Sequence, residues 1–142
     1  MARNFSAKAP VYGSHGCIRF KLTYANSPST IITDIGKLPA WASVYGGSVH
    51  IFTAFNDSGT DTIDIGFRGG GSTDDPDAYA TLLAATAVGN IVLDEIGATT
   101  NIIQQVPCFV TARYNGQNSN ATAGVAYITI LYSAPSATDG SS

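Results

Sequence analysis

Few side chains in this sequence are able to do chemistry. There are two histidines, His15 and His50, and two cysteines, Cys17 and Cys108. A zinc site needs three or four His, Cys or carboxylate ligands converging on one point. His15 and Cys17 stand two residues apart, which places them on one face of a strand. Cys108 and His50 would then have to arrive from two other strands. The plainer reading makes His50 a solvent-side or hydrogen-bonded strand residue and the two cysteines small, reduced core residues. Nucleophilic catalysis needs a Ser or Cys on a constrained turn with a base in reach. No Gly-x-Ser-x-Gly elbow is present, and Ser14 beside His15 is mere adjacency.

The carboxylates gather in two places: Asp57, Asp61 and Asp64, then Asp74, Asp75 and Asp77. Oxygen ligands at such density can hold calcium, but neither spacing is that of an EF-hand loop. Each group also has a local explanation, the first in a hairpin turn and the second at a helix N-terminus. Glu95 is the single glutamate, so a glycosidase carboxylate pair would have to come from turn aspartates. Gly69-Gly70-Gly71 lacks the Lys-Ser/Thr of a phosphate loop. No catalytic residue, cofactor or metal ligand is expected, and the chain is not expected to be an enzyme.

The elements that would position these residues are mostly strands. Gly16 to Tyr24 alternates, with Ile18, Phe20, Leu22 and Tyr24 on one face and Arg19, Lys21 and Thr23 on the other. Ser29 to Thr33 is a short strand candidate. Lys37 to Ala42 reads as a loop that lays Trp41 over one end of the core. Val49 to Phe55 and Thr62 to Phe67 alternate on either side of Asn56-Asp57-Ser58-Gly59-Thr60-Asp61, a strong turn, and read as a hairpin. Asp74 to Ala85 reads as one short helix: Asp75 as N-cap, Pro76 at the first helical position, Asp77 at the positive end of the dipole, and Tyr79, Leu82 and Leu83 at helical spacing. Ile91 to Ile96, Ile102 to Gln105, Val106 to Tyr114 and Gly124 to Tyr132 complete the strands, with Pro107 near a strand end or edge. Turn signals at this spacing predict a mainly β, antiparallel sandwich or jelly-roll-like domain with that one helix. The expected organisation is an extended arm over residues 1–12, a single sandwich domain over 13–133 and a flexible tail over 134–142.

Charge narrows the function classes. Charged residues make up 12% of the 142, about half the ~25% usual for globular chains. Gly, Ser, Thr, Asn and Ala replace them, which gives a neutral, hydrogen-bonding surface suited to packing against other proteins. The net charge is −3 and the seven basic residues are scattered. No cluster could neutralise several phosphates, so nucleic-acid binding is not expected. Nor is a membrane span, since no run of about 18 apolar residues exists. No long apolar run follows Met-Ala-Arg-Asn-Phe-Ser, so no secretory signal is expected.

Two stretches together resemble a known class. One is Phe52-Thr53-Ala54-Phe55-Asn56-Asp57-Ser58-Gly59-Thr60-Asp61-Thr62-Ile63-Asp64-Ile65-Gly66, followed by Asp75-Pro76-Asp77-Ala78-Tyr79-Ala80. The other is Val110-Thr111-Ala112-Arg113-Tyr114, a polar loop, and Ala121 to Tyr132. Over residues 47–133 this texture of turns and strands resembles small β-rich virion proteins of tailed bacteriophages, of the capsid cement or decoration kind. The resemblance implies a β-sandwich or jelly roll that needs no cofactor, forms a homo-oligomer (a trimer), and binds the major capsid protein. It would be made in the host cytoplasm and end on the capsid surface, bracing the shell. The arm could reach across a subunit boundary, with Arg3, Phe5 and Lys8 as contact residues. The alternative is a receptor- or carbohydrate-binding domain of a phage fibre, with Trp41, Tyr45 and Tyr114 as the aromatics that would stack on sugars.

Overall fold

The computed structural model describes residues 14–26, 29–97, 103–118 and 120–135. Eight strands run through them: β1 (Ser14–Thr23), β2 (Ile32–Leu38), β3 (Ser43–Thr53), β4 (Thr62–Arg68), β5 (Asp75–Ala84), β6 (Gly89–Val92), β7 (Cys108–Asn115) and β8 (Val125–Ala134). They form two four-stranded antiparallel sheets, ordered β1-β8-β3-β6 and β2-β7-β4-β5. The first strand thus pairs with the last, the second with the seventh, the third with the sixth and the fourth with the fifth. Rolling up one long hairpin produces this nesting.

Period-2 alternation makes each strand two-faced. In β8, Ala126, Ile128 and Ile130 are fully buried, while the odd-numbered neighbours from Val125 to Ser133 are only partly covered. Val49 and Ile51 of β3 face the same way. They meet Ile63, Ile65 and Phe67 of β4 and Val110 and Ala112 of β7 in one core. Each such Val, Ile or Phe contributes about 1.5–3 kcal/mol by leaving water. Truncating a fully buried one such as Ile128 to Ala costs about 2–5 kcal/mol, because the packed core cannot collapse onto the void.

Four sequence expectations are corrected. In place of that helix stands the strand β5 (Asp75–Ala84), and no helix occurs among the described residues. β5 pairs with β4 at Leu83, Ala80 and Asp75, opposite Ile63, Ile65 and Phe67, so it carries surplus residues in two bulges. Bulges break the period of two. They leave Tyr79, Leu83 and the run Ala78 to Ala80 inward, which in sequence imitates a helical face. Leu82, in the bulged part, takes a left-handed φ of 53° and points to solvent. Gly66 allows this arrangement, since a Cβ there would overlap the Asp75 carbonyl and the Pro76 backbone.

Second, β3 and β4 do not form a hairpin. They belong to different sheets, and the segment between them crosses the sandwich. Third, β2 runs on through Lys37 and Leu38, where a loop was expected. Finally, Trp41 does not cover the core: it is 53% exposed with φ 65°. Residues 1–12 and the tail from 136 lie outside the described residues, while Ala134 closes β8.

Candidate functional site

The outward rows of the β1 sheet follow from its registers. Across β1, β8 and β3, Cys17, Leu131 and Gly46 lie abreast; next come Arg19, Thr129 and Ser48, with Val92 of β6 beside them. One row further are Lys21, Tyr127, His50 and Asn90. Tyr45 sits in a β-bulge and reaches over to His15, ring centroids 5.8 Å apart and planes at 89°. Phe52 leans on Tyr127 in the same edge-to-face manner at 6.0 Å. Tyr45, Phe52 and Val92 are each more than half exposed. None of the four strands contains an Asp or Glu, so the charge on this face comes from Arg19 and Lys21.

The outward rows of the β2 sheet are closed on themselves. Arg68 clamps Asp34 through two hydrogen bonds, Nε to Oδ1 at 2.7 Å being one, and its guanidinium lies 4.6 Å from the Phe109 ring centroid. Lys37 covers the same ring at 5.7 Å. These contacts give Arg68 a raised pKa, chiefly through Asp34. Asp64 is almost completely buried. Its Oδ1 accepts the Leu82 N–H at 2.7 Å, and its Oδ2 accepts Arg113 Nη2 at 2.6 Å and Asn115 Nδ2 at 3.0 Å. Beside the Asp34–Arg68 pair, a cleft of about 270 Å³ opens between Ile32 and Pro76 over Thr111. Asp34 and Arg68 neutralise each other there, and Asp74, which accepts the Gly69 N–H, leaves the lining with a negative charge.

The polar loops at one end of the sandwich are held by two buried carboxylates. Asp57 accepts the N–H groups of Ser58, Asn118 and Asn120, tying 56–61 to 117–120. Asp61 accepts the Tyr114 hydroxyl at 3.2 Å through Oδ1, while its Oδ2 is buried without a partner. Burial therefore raises the Asp61 pKa, with the Asp57 charge adding to it. Asp77 is raised too, mainly by its hydrogen bond to Asp75. The buried Tyr79 and Tyr114 hydroxyls are pushed well above their usual range, first by burial.

Several candidate residues land apart. His15, Cys17 and His50 share the outer face of the β1 sheet, but Cys108 points into the core from the other sheet, where burial raises its thiol pKa. The expectation that Cys17 is a core residue is corrected: it alternates outward with Arg19 and is exposed. Among the described residues no three His, Cys, Asp or Glu side chains gather as a metal site. Of the three aromatics proposed for sugar stacking, Tyr114 is buried against Phe55, while Trp41 and Tyr45 are exposed. Arg3, Phe5 and Lys8 lie outside the described residues. The aromatic and cationic surface of the β1 sheet was missed, although the alternation of Gly16 to Tyr24 already set Arg19 and Lys21 outward.

No family model matches the chain, and no curated protein matches it in sequence. Its fold has neighbours. A chain in the capsid of Ralstonia phage GP4 matches with a TM-score of 0.66 and 18% identity, over 88% of this chain and 87% of its own. A chain in the capsid asymmetric unit of Cyanophage Pam1 matches at 0.63 and 13%, over 87% and 86%. A third, in the acidic stable capsid of Helicobacter pylori bacteriophage KHP30, matches at 0.62 and 15%, over 87% and 91%. The matched chains are thus about as long as this one, and what they share with it is the fold.

Proposed function

We propose that this chain is a structural, non-enzymatic virion protein of a tailed phage that binds the outside of the capsid and stabilises the shell, as cement or decoration proteins do. The observation that carries this reading is the end-to-end match of its fold to three chains of similar length, each from a phage capsid. The nested strand pairing supports reading the sandwich as a jelly roll. The low charge fraction supports a protein that ends packed against others.

In this reading the partner is the major capsid protein, the assembly is a homotrimer on the capsid surface, and synthesis is in the host cytoplasm. Arg3, Phe5 and Lys8 of the 1–12 arm contact a neighbouring subunit. Co-sedimentation of the purified chain with capsids that lack it tests the proposal. Saturation at a fixed ratio to the major capsid protein is expected; the chain staying in the supernatant at every concentration would overturn it.

A second reading, glycan binding by a fibre domain, draws on Trp41, whose exposure and left-handed backbone set it out as a strained, solvent-facing aromatic. A glycan screen separates the two. Specific binding lost in Trp41→Ala would favour the fibre reading, and an empty screen the capsid one.

A further inference from the structure

We propose that the outer face of the β1 sheet is the surface that docks on the shell, and that it recognises an acidic protein surface with apolar ground between its carboxylates. The inference rests on the capsid-binding reading and names the side of the molecule that performs it.

Three observations converge on this face. The first is charge. The protein carries −3 overall, yet the strands of this sheet hold Arg19 and Lys21 and no carboxylate. Neither cation has an ion-pair partner among the described residues, whereas Arg68 and Arg113 on the other sheet both do. A cationic patch on an anionic protein steers encounter with a negative surface and disfavours the wrong approach.

The second observation is apolar exposure. Phe52 and Val92 are 61% and 68% exposed, and Tyr45 and Tyr127 stand beside them on the same face. Aromatic and Arg side chains are the enriched anchors of protein interfaces. The third is order. Phe52 is held by Tyr127 and Tyr45 by His15, so these rings give up less freedom on docking than free side chains would.

A second copy meeting this face through a two-fold axis would set Arg19 and Lys21 against their own counterparts, a like-charge juxtaposition. That counts against a two-fold dimer through this face, and the unpaired cations are matched by an acidic shell protein.

The test uses capsids of the phage that encodes the chain, prepared without it, and titrates them with the full-length protein and four variants. Arg19→Glu with Lys21→Glu, and separately Phe52→Ser, alter this face. Lys37→Glu and Leu82→Ser make matching changes on the β2 sheet. All the altered side chains are exposed, and unfolding midpoints check that each variant is folded. The expected result is a loss of about 10-fold or more for both variants of the β1 sheet, with the other two within about 2-fold of wild type. Wild-type affinity should also fall with added salt, and the double reversal, which sets Glu against the acidic surface, should invert that dependence. Wild-type binding matched by all four variants would overturn this assignment and leave the capsid reading standing. Absence of wild-type binding would remove both. Dissociation of a free oligomer by the variants of the β1 sheet, with capsid binding intact, would give the face to a second copy and overturn the proposal.

Discussion

The outsides of the two sheets treat charge in opposite ways. On the β2 sheet, Asp34 holds Arg68, Asp64 holds Arg113, and Lys37 shares the Phe109 ring with Arg68. On the β1 sheet, Arg19 and Lys21 stand without a partner carboxylate among the described residues, beside exposed Phe52 and Val92. Both sheets fill the same core with the same kinds of side chain. The difference lies outside the core, and it teaches that stability and recognition have been given separate faces. A satisfied surface has little left to offer a partner, whereas the open face contributes little to the fold.

That contrast can be broken first at Asp64. In Asp64→Ala, Arg113 loses its counter-charge, and the Leu82 N–H and Asn115 amide lose their acceptor. The expected loss is about 3 kcal/mol in urea unfolding. The more exposed Asp34→Ala should lose less than about 1 kcal/mol. Equal losses would mean that burial does not separate the two pairs. Next is Gly66→Ala, where the new methyl must displace the backbone of Asp75 and Pro76; a loss of about 1–3 kcal/mol is expected by calorimetry.

The third test concerns Asp61, the buried carboxylate of the end loops whose Oδ2 lacks a partner. Asp61 has a folded pKa raised above its ordinary 3.8. Within the window that opens there and extends upward, the folded chain binds the proton more tightly than the unfolded one. Its contribution to stability therefore falls as pH rises through that window, opposite in sign to ordinary acid denaturation. Denaturation midpoints against pH should show a shallower decline in Asp61→Asn, and an unchanged profile would remove Asp61 as the cause. The smallest effect belongs to the open face. Arg19→Gln with Lys21→Gln should shift stability by less than about 0.5 kcal/mol. A larger loss would show that these cations support the fold after all.

Much of the sandwich was legible because alternation is a direct image of a two-faced strand. Gly16 to Tyr24, Val106 to Tyr114 and Gly124 to Tyr132 all map onto strands within a few residues. What failed was whatever alternation does not encode. Val49 to Phe55 and Thr62 to Phe67 read the same whether the chain turns back within one sheet or crosses to the other. Asp75-Pro76-Asp77 carries a true helix-start chemistry, overridden because Tyr79 and Leu83 reach the core from a bulged edge strand. The candidate surface was half visible. Arg19 and Lys21 could be set outward from sequence, but their meeting with Tyr127 and His50 needs registers between strands far apart in the chain.

The pairing of Ser14–Thr23 with Val125–Ala134 also governs when this protein can fold. During synthesis β1 emerges about a hundred residues before the strand it pairs with. Until then its ten residues have no ladder partner, and β3 lacks the neighbour that separates it from β1. Closing so long a loop must precede any gain from the pairing, which places such topologies among the slow folders, in the range of milliseconds to seconds. A nascent chain with an unpaired strand is open to the wrong partner until β8 has been made. The outward positions of β1, which carry His15, Arg19 and Lys21, are a safeguard suited to that wait.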